Sequence, residues 1–533
     1  MQTRPAATNA WPAIPQVLFL QFLFLFSSAP AVLSAKIGLF IPQLSRSQVI
    51  FSLGIAEELA KEHEIVLLRV EFDSESSKIA PKNPNIRQLS TIGATPEEFQ
   101  RYYEIDCGFN FNEASFFDTV NIARNFVNLF TNACKRMVND DNFIRNIKKE
   151  QFDFALYHHL DLCGIGLIHH AGIPHWGFTM SSPIYGPMLK NLGIPNLPSI
   201  HPSLLMDASN HMTFLQRLYN FVREIMEGSV FGTATQTAIL REKFGADFPP
   251  LSELSNQGKF VLLNSYATFE YPLPMTDKVV SIGGLVKGSR QSIKEPIASL
   301  VEKKKPIVLV SFGSVTKSEE MPERWKDAFL TLFSQNPEIQ FIWKFDDASF
   351  AVPGNVHLAS WLPQNKLLES GSVVAFITHG GYNSLGDAVS TGVPLIVIPL
   401  RVDQFRNSHL VEYRRIGIRI SKGNVTGSSL CDALSRLLSN PIYAQSAREI
   451  REIESSTLTT PGDRLRHAMA FSLAHPNFSR DIPRLSLPVL FSFDCIAFLS
   501  FLFISALYLF YRILYCYYWS CCLMSYKDKE KLH

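Results

Sequence analysis

Short β-rich runs alternate with longer helical patterns twice along this 533-residue chain, and nothing else in the sequence constrains the fold as tightly. The first series begins at Lys36 and includes "IGLFIP", "EIVLLRVEF", "FDFALYH" and "FVLLNS"; residues 115 to 149 and 211 to 244 read as helical. Strands joined through helices pair in parallel, because the chain must cross back over the sheet before the next strand begins. The pattern restarts at Pro306 with "IVLVSFGS", "QFIWKF", "VVAFITHGG", "PLIVIPL" and "IGIRIS", separated by helical stretches near 323–335, 381–391 and 404–415. Two doubly wound, Rossmann-like α/β domains are expected, which suits a chain too long for one core. Residues 281 to 296, "SIGGLVKGSRQSIKEP", read as the linker, giving an N-terminal domain over 36–285 and a C-terminal domain over 286–480. Sheets of this kind bind ligands at the carboxyl ends of their strands, so a cleft is expected where the two domains face each other.

The two ends are apolar. Residues 17 to 26 are continuously apolar apart from Gln21, and small residues follow. This reads as a signal peptide over 1–35, cleaved near Ala31 or Ala35; the run is short for a membrane anchor. Residues 487–519 read as a transmembrane region, apolar or small from 495 to 511, with Arg512 snorkelling to the interface. Tyr511, Tyr515, Tyr517, Tyr518 and Trp519 form an interfacial aromatic belt, and residues 520–533 with Lys527, Lys529 and Lys531 form a cytosolic tail. Lys529 and Lys531, fifth and third from the end, resemble a dilysine retrieval signal. The expected location is the endoplasmic reticulum membrane, single-pass, with a lumenal body.

Formal net charge is +2 and charged residues make up 18%, which gives no electrostatic reason to expect nucleic acid as a partner. Only Cys107, Cys134, Cys163 and Cys431 fall in the lumenal part, too few for a disulfide scaffold, and no pair has metal-ligand spacing. No metal is expected. Asn424 and Asn477 head glycosylation sequons. Assembly into homo- or hetero-oligomers is left open.

Residues 361 to 404 carry the chemistry. "VVAFITHGG" is an apolar strand ending in His379-Gly-Gly, and Asn383 and Ser384 follow where a helix starts. Glycines let a phosphate approach the backbone, and free N–H groups with the helix dipole favour an anion. "VSFGS", ending at Ser314, is a second strand-end turn of this kind, though alone it is equally an ordinary glycine turn. Neither fits the dinucleotide or P-loop pattern.

Trp361, Gln364, His379, Gly381, Asn383, Ser384, Asp387, Asp403 and Gln404, in this order and spacing, resemble the donor signature of the UDP-glycosyltransferases. The likeness runs from about Lys36 to the tail and is to the animal membrane-bound branch. It implies the GT-B arrangement of two Rossmann-like domains, with a UDP-sugar, UDP-glucuronate or UDP-glucose, as donor substrate and no prosthetic group. It implies that Trp361 stacks on uracil, Gln364 lies by the uridine, and Ser314, His379, Asn383 and Ser384 hold the diphosphate. Asp387, where the family usually has Glu, would accept from the ribose hydroxyls, and Asp403 and Gln404 would bind the sugar. The acceptor, a small lipophilic molecule, is left to the N-terminal half. Residues 109 to 130 either line its pocket, lie on membrane lipid, or form an ordinary core-facing helix. Arg401 either pairs with a glucuronate carboxylate or faces solvent.

Inverting transfer to a hydroxyl needs a base, in this family a His before the first helix with a carboxylate partner after a strand like "FDFALYH". The matching positions hold Gln48 and His158. Gln cannot take a proton at physiological pH. Three readings follow: His158 is the base and Gln48 orients the acceptor; or acidic or nucleophilic acceptors react through positioning alone; or the chain binds a UDP-sugar or lipophile without transfer.

Overall fold

The computed structural model describes residues 34–530 except 114, 205, 231–232, 275, 287–291, 479–488 and 490–492. Residues 1–33 of the expected signal peptide, Lys531 and part of the expected linker therefore lie outside the described residues.

The first sheet is built from β1 Lys36–Gln43, β2 Glu64–Glu71, β3 Arg87–Ile92, β4 Phe154–His158, β5 Trp176–Met180, β6 Val261–Leu263 and β7 Val279–Ser281. Its order is β3-β2-β1-β4-β5-β6-β7, with every pairing parallel. The helices that frame it are α1 Arg46–Leu59, α2 Pro96–Cys107, α3 Phe116–Asn139, α4 Cys163–His170 and α5 Phe214–Val230. Alternate strand residues serve opposite faces. Phe40, Val66, Leu68, Tyr157 and Phe178 pack with α3 and α4, while Ile37, Leu39, Ile41, Phe154 and Leu156 pack with Val49, Phe51 and Ile55 of α1. A disulfide, Cys134–Cys163, ties α3 to α4.

The second sheet repeats the plan with β8 Ile307–Ser311, β9 Gln340–Lys344, β10 Val356–Ala359, β11 Val373–Thr378, β12 Leu395–Val397 and β13 Gly417–Arg419. Its order is β10-β9-β8-β11-β12-β13, again all parallel. The helices at its carboxyl edge are α6 Gln364–Glu369, α7 Tyr382–Thr391 and α8 Gln404–Tyr413. In both sheets the strand order reverses between the first and fourth strands of the series, which opens a crevice above β1/β4 and β8/β11.

The domains exchange elements. Phe111, just after α2, enters the second core and packs its ring edge-on against Trp325 at 5.3 Å. In return the helix Pro461–Ala474, α9, packs on the first sheet, with Leu465 and Met469 in the core under α1. Arg466 of α9 pairs with Glu58, and Arg464 donates to the Ser281 carbonyl at 2.7 Å. The last helix, α10 Phe493–Glu530, contains an apolar stretch over Phe493–Trp519, long enough to cross a bilayer.

Candidate active site

At the β8/β11 crevice two glycine turns meet one imidazole. Gly313 follows β8 at φ +85°, and a Cβ there would fall 2.8 Å from the His379 ring. Gly380 has φ +80°, and a Cβ on Gly381 would fall 2.5 Å from Nε2 of His379. Gly381 caps α7 without any side-chain hydrogen bond, so the first N–H groups of α7 have no N-cap side chain as acceptor. Asn383 and Ser384 lie in that first turn. Burial, with the Arg401 and Lys344 charges adding, pushes His379 down to about 3, leaving a neutral imidazole against an electropositive helix mouth. Lys344, at the end of β9, donates to the Gly313 carbonyl at 2.8 Å and thereby brings a cation to the same turn. Sequence reasoning missed Lys344; its signal was its place as the last residue of a strand beside β8.

A second polar cluster is assembled around Asp387, where the sequence leads one to expect the nucleoside. Gln364 Nε2 donates to Asp387 Oδ2 at 2.8 Å and reaches Ser384 Oγ at 3.5 Å, and Asn365 donates to Asp387 Oδ1 at 3.3 Å. Burial raises the Asp387 carboxyl to about 6, against those hydrogen bonds. Each of its oxygens already accepts one amide bond; a carboxylate has about four lone-pair sites, so capacity for hydroxyl donors remains. Trp361, 47% exposed, has the Arg46 guanidinium 4.9 Å from its ring centroid. Arg46 belongs to α1 of the other domain, so a helix of the first domain reaches the expected uracil platform.

The loop after β12 is tightly wound. Val402, a β-branched residue, sits at φ +49°, a conformation sparsely populated outside strained sites. Gln404 Oε1 accepts from the N–H groups of Leu400 at 2.9 Å and Arg401 at 3.1 Å, so only its amide nitrogen is left for a ligand. Asn407 donates to Asp403 Oδ2 at 2.8 Å and to the Gly380 carbonyl at 3.0 Å, which joins this loop to the His379 turn. Burial pushes the Asp403 carboxyl up. Arg401 does not stand free in solvent, as one of its two expectations had it: it pairs with Asp106 of α2 and lies 3.5 Å from the Cys107 sulfur.

On the other side of the cleft, strand parity aims Gln43, His158 and Thr179 toward the α1 face, at the carboxyl ends of three adjacent strands. All three are buried. Both amide atoms of Gln43, Oε1 of Gln48, Oγ of Ser52, Nδ1 of His158 and Oγ1 of Thr179 have no hydrogen-bond partner among the described residues. His158 Nε2 lies 3.3 Å from Ser181 Oγ. Burial, with His159 adding, pushes His158 down to about 3. His159 faces the opposite side, with Nδ1 2.9 Å from the Tyr185 hydroxyl. Asp161 does not orient His158; it accepts from Tyr157, from Gln236 at 2.9 Å and from the Cys163 N–H.

A short chain of contacts crosses between the two sides. Asn264, just after β6, donates to the Ser181 carbonyl at 3.4 Å and to Asn383 Oδ1 at 2.6 Å. The Tyr382 hydroxyl lies 3.4 Å from the Tyr266 N–H. Among the described residues no group of three or more His, Cys, Asp or Glu side chains is placed to hold a metal ion. Asn424 and Asn477 are both exposed.

A family model described as "UDP-glucoronosyl and UDP-glucosyl transferase" matches residues 39–528. "Putative UDP-glucuronosyltransferase ugt-48" of Caenorhabditis elegans is 28% identical over 462 residues, covering 84% of this chain and 88% of that one. The "2-hydroxyacylsphingosine 1-beta-galactosyltransferase" of Mus musculus is 28% identical over 471 residues, covering 85% and 83%. In fold, the chain is similar to the glycotransferase of kitacinnamycin, with TM-score 0.57, 18% identity and coverage of 82% and 98%. It is also similar to glycosyltransferase VinC in complex with dTDP, with TM-score 0.56, 14% identity and coverage of 83% and 100%. These two likenesses show the GT-B arrangement.

Proposed function

The chain belongs to the UDP-glucuronosyl and UDP-glucosyl transferase family, and from that premise we propose that it moves glucose or glucuronic acid from a UDP-sugar to a small lipophilic acceptor, with inversion at the anomeric carbon. The observation that carries the proposal is the mouth of α7, where uncapped N–H groups, Asn383, Ser384 and a neutral His379 converge on one turn. Such an arrangement stabilises the diphosphate charge that grows as UDP leaves. Ser314 lies on the facing turn, Trp361 offers its ring to uracil, Gln364 and Asp387 take the uridine, and Asp403 and Gln404 take the sugar hydroxyls.

The acceptor side is altered. Gln48 takes no proton, and His158, neutral at physiological pH, retains an unpartnered Nδ1 that can accept a hydrogen bond from an incoming O–H or N–H. Its lowered basicity gives little driving force for proton removal from an unactivated alcohol. The reaction therefore leans on positioning and favours phenols, carboxylic acids and amines. Transfer measured with a panel of UDP-sugars, comparing a phenol, an amine and an aliphatic alcohol of similar size, tests this. Equal rates on amine and aliphatic alcohol would overturn the acceptor preference, and a wild-type rate for His158→Ala would remove His158 from the reaction.

The replacement of both dyad positions also favours a second reading, a UDP-sugar-binding chain without transfer. Calorimetry with UDP separates the two: tight binding with neither transfer nor sugar-nucleotide hydrolysis supports the second. For the location, an endoplasmic reticulum membrane protein with a lumenal body accounts for the apolar stretch Phe493–Trp519, the Cys134–Cys163 disulfide and the exposed Asn424 and Asn477.

A further inference from the structure

One surface helix is built inside out. In α5, Asn220 is fully buried and its side chain bonds the Ser203 N–H at 2.8 Å, the Pro198 carbonyl at 2.7 Å and the His201 carbonyl at 2.9 Å. A polar residue thus docks α5 on the domain. The apolar residues point the other way: Leu215 is 73% exposed, Leu218 51%, Tyr219 53% and Val222 46%. Spaced three and four apart, these four lie on one face, roughly opposite Asn220 at about 100° per residue. Phe214 and Phe221 are also exposed and flank that stripe. Water is a poor neighbour for such a surface, and contiguous exposed apolar stripes mark interaction sites.

We propose that this face of α5 lies in the bilayer interface, giving the body a second attachment to the membrane besides the C-terminal span. The chain itself indicates the occupant. The apolar stretch over Phe493–Trp519 starts 19 residues after Ala474, the last residue of α9. A fully extended segment of that length reaches about 65 Å, so the tether keeps the body beside the bilayer. Charge and shape agree with a headgroup boundary. Arg217, bonded to the Met212 carbonyl at 2.9 Å, lies on one flank of the stripe, and Arg223, 5.6 Å from the Tyr219 ring, on the other. Arginines beside an apolar stripe carrying Phe and Tyr are the composition of helices that lie in the interface plane with their apolar face sunk to the acyl boundary.

The test uses the full chain in vesicles of phosphatidylcholine and phosphatidylserine containing doxyl-labelled lipid. An environment-sensitive fluorescent amino acid replaces Leu218, Leu507 in the span, or the exposed Lys303. Strong quenching at Leu218, approaching that at Leu507 and absent at Lys303, is the expected result. Placing Leu215→Lys and Val222→Lys beside the Leu218 probe should reduce its quenching several-fold and leave the Leu507 signal unchanged. No quenching at Leu218 with full quenching at Leu507 would overturn the proposal. So would copy-to-copy crosslinking through residue 218 in place of quenching, which would make this face a contact between two copies of the chain.

Discussion

Asn264, just after β6, donates its side-chain amide to Oδ1 of Asn383 at 2.6 Å, joining the first domain to the first turn of α7. With Oδ1 occupied, the Nδ2 group of Asn383 is the end left for the phosphate of the proposed donor. Asn264→Ala should therefore raise KM for the UDP-sugar by about five-fold, the equivalent of one neutral hydrogen bond of ~1 kcal/mol, while kcat changes less. Steady-state kinetics with varied donor check this; an unchanged KM with reduced kcat contradicts it.

Gly381 leaves the space in which His379 sits. A Cβ there would stand 2.5 Å from the imidazole Nε2, so Gly381→Ala must displace the ring or the turn. UDP affinity should fall at least ten-fold by calorimetry, with the secondary structure retained, because the proposed diphosphate site depends on backbone approach at this turn.

The Arg401–Asp106 pair fastens α2 to the loop after β12, with both side chains largely buried. Asp106→Ala strands a guanidinium, and breaking one partner of a buried pair costs about 3–5 kcal/mol. The urea midpoint should drop accordingly. Preference between UDP-glucuronate and UDP-glucose in Arg401→Met should stay as in the wild type, since the guanidinium is committed to Asp106.

His158 has an ordinary value near 6.5 and is pushed down to about 3 in the fold. Between those values the unfolded chain binds a proton that the folded chain does not, so stability is full above pH 6.5 and is lost as pH falls toward 3. One such group contributes a slope of about 1.4 kcal/mol per pH unit. A His158→Gln variant should lose stability less steeply than the wild type between pH 6 and 4 (about that pH range, inside the titration window), measured by denaturant unfolding. Identical slopes would contradict the depressed value.

Cys134 and Cys163 close a loop of sequence separation 29, tying α3 to α4. Loop closure of that length restricts the unfolded chain by about 3.6 kcal/mol. Cys134→Ala should destabilise the protein by roughly that amount and make its unfolding midpoint insensitive to added reductant.

Much of the fold was legible in the sequence. Nine strand runs were visible because their residues are apolar and β-branched, and helices such as Glu323–Gln335 stood where the apolar periodicity placed them. β3, β5, β7 and β10 were not. β3 is mostly exposed and polar, and β7 is three residues long, so neither carries a periodic signal. The expected donor residues could be named from their resemblance to a family signature, which was recognisable because most lie within 44 residues on consecutive strand ends. Arg46 against Trp361, Asn264 against Asn383, and Arg401 against Asp106 could not, since partners 119 and 295 residues apart leave no local pattern.

By itself the sequence determined two parallel α/β domains, an apolar terminal helix and a glycine turn at His379-Gly-Gly, because each is encoded by residues close together in the chain. Tertiary structure decided what those residues face. It spent Arg401 on Asp106 and placed Arg46 over Trp361. It buried His158 until its charge became too costly, and it docked α5 by an asparagine with its leucines outward. Burial, charge pairing and exposure are properties of neighbours in space, and the neighbours came from distant parts of the chain.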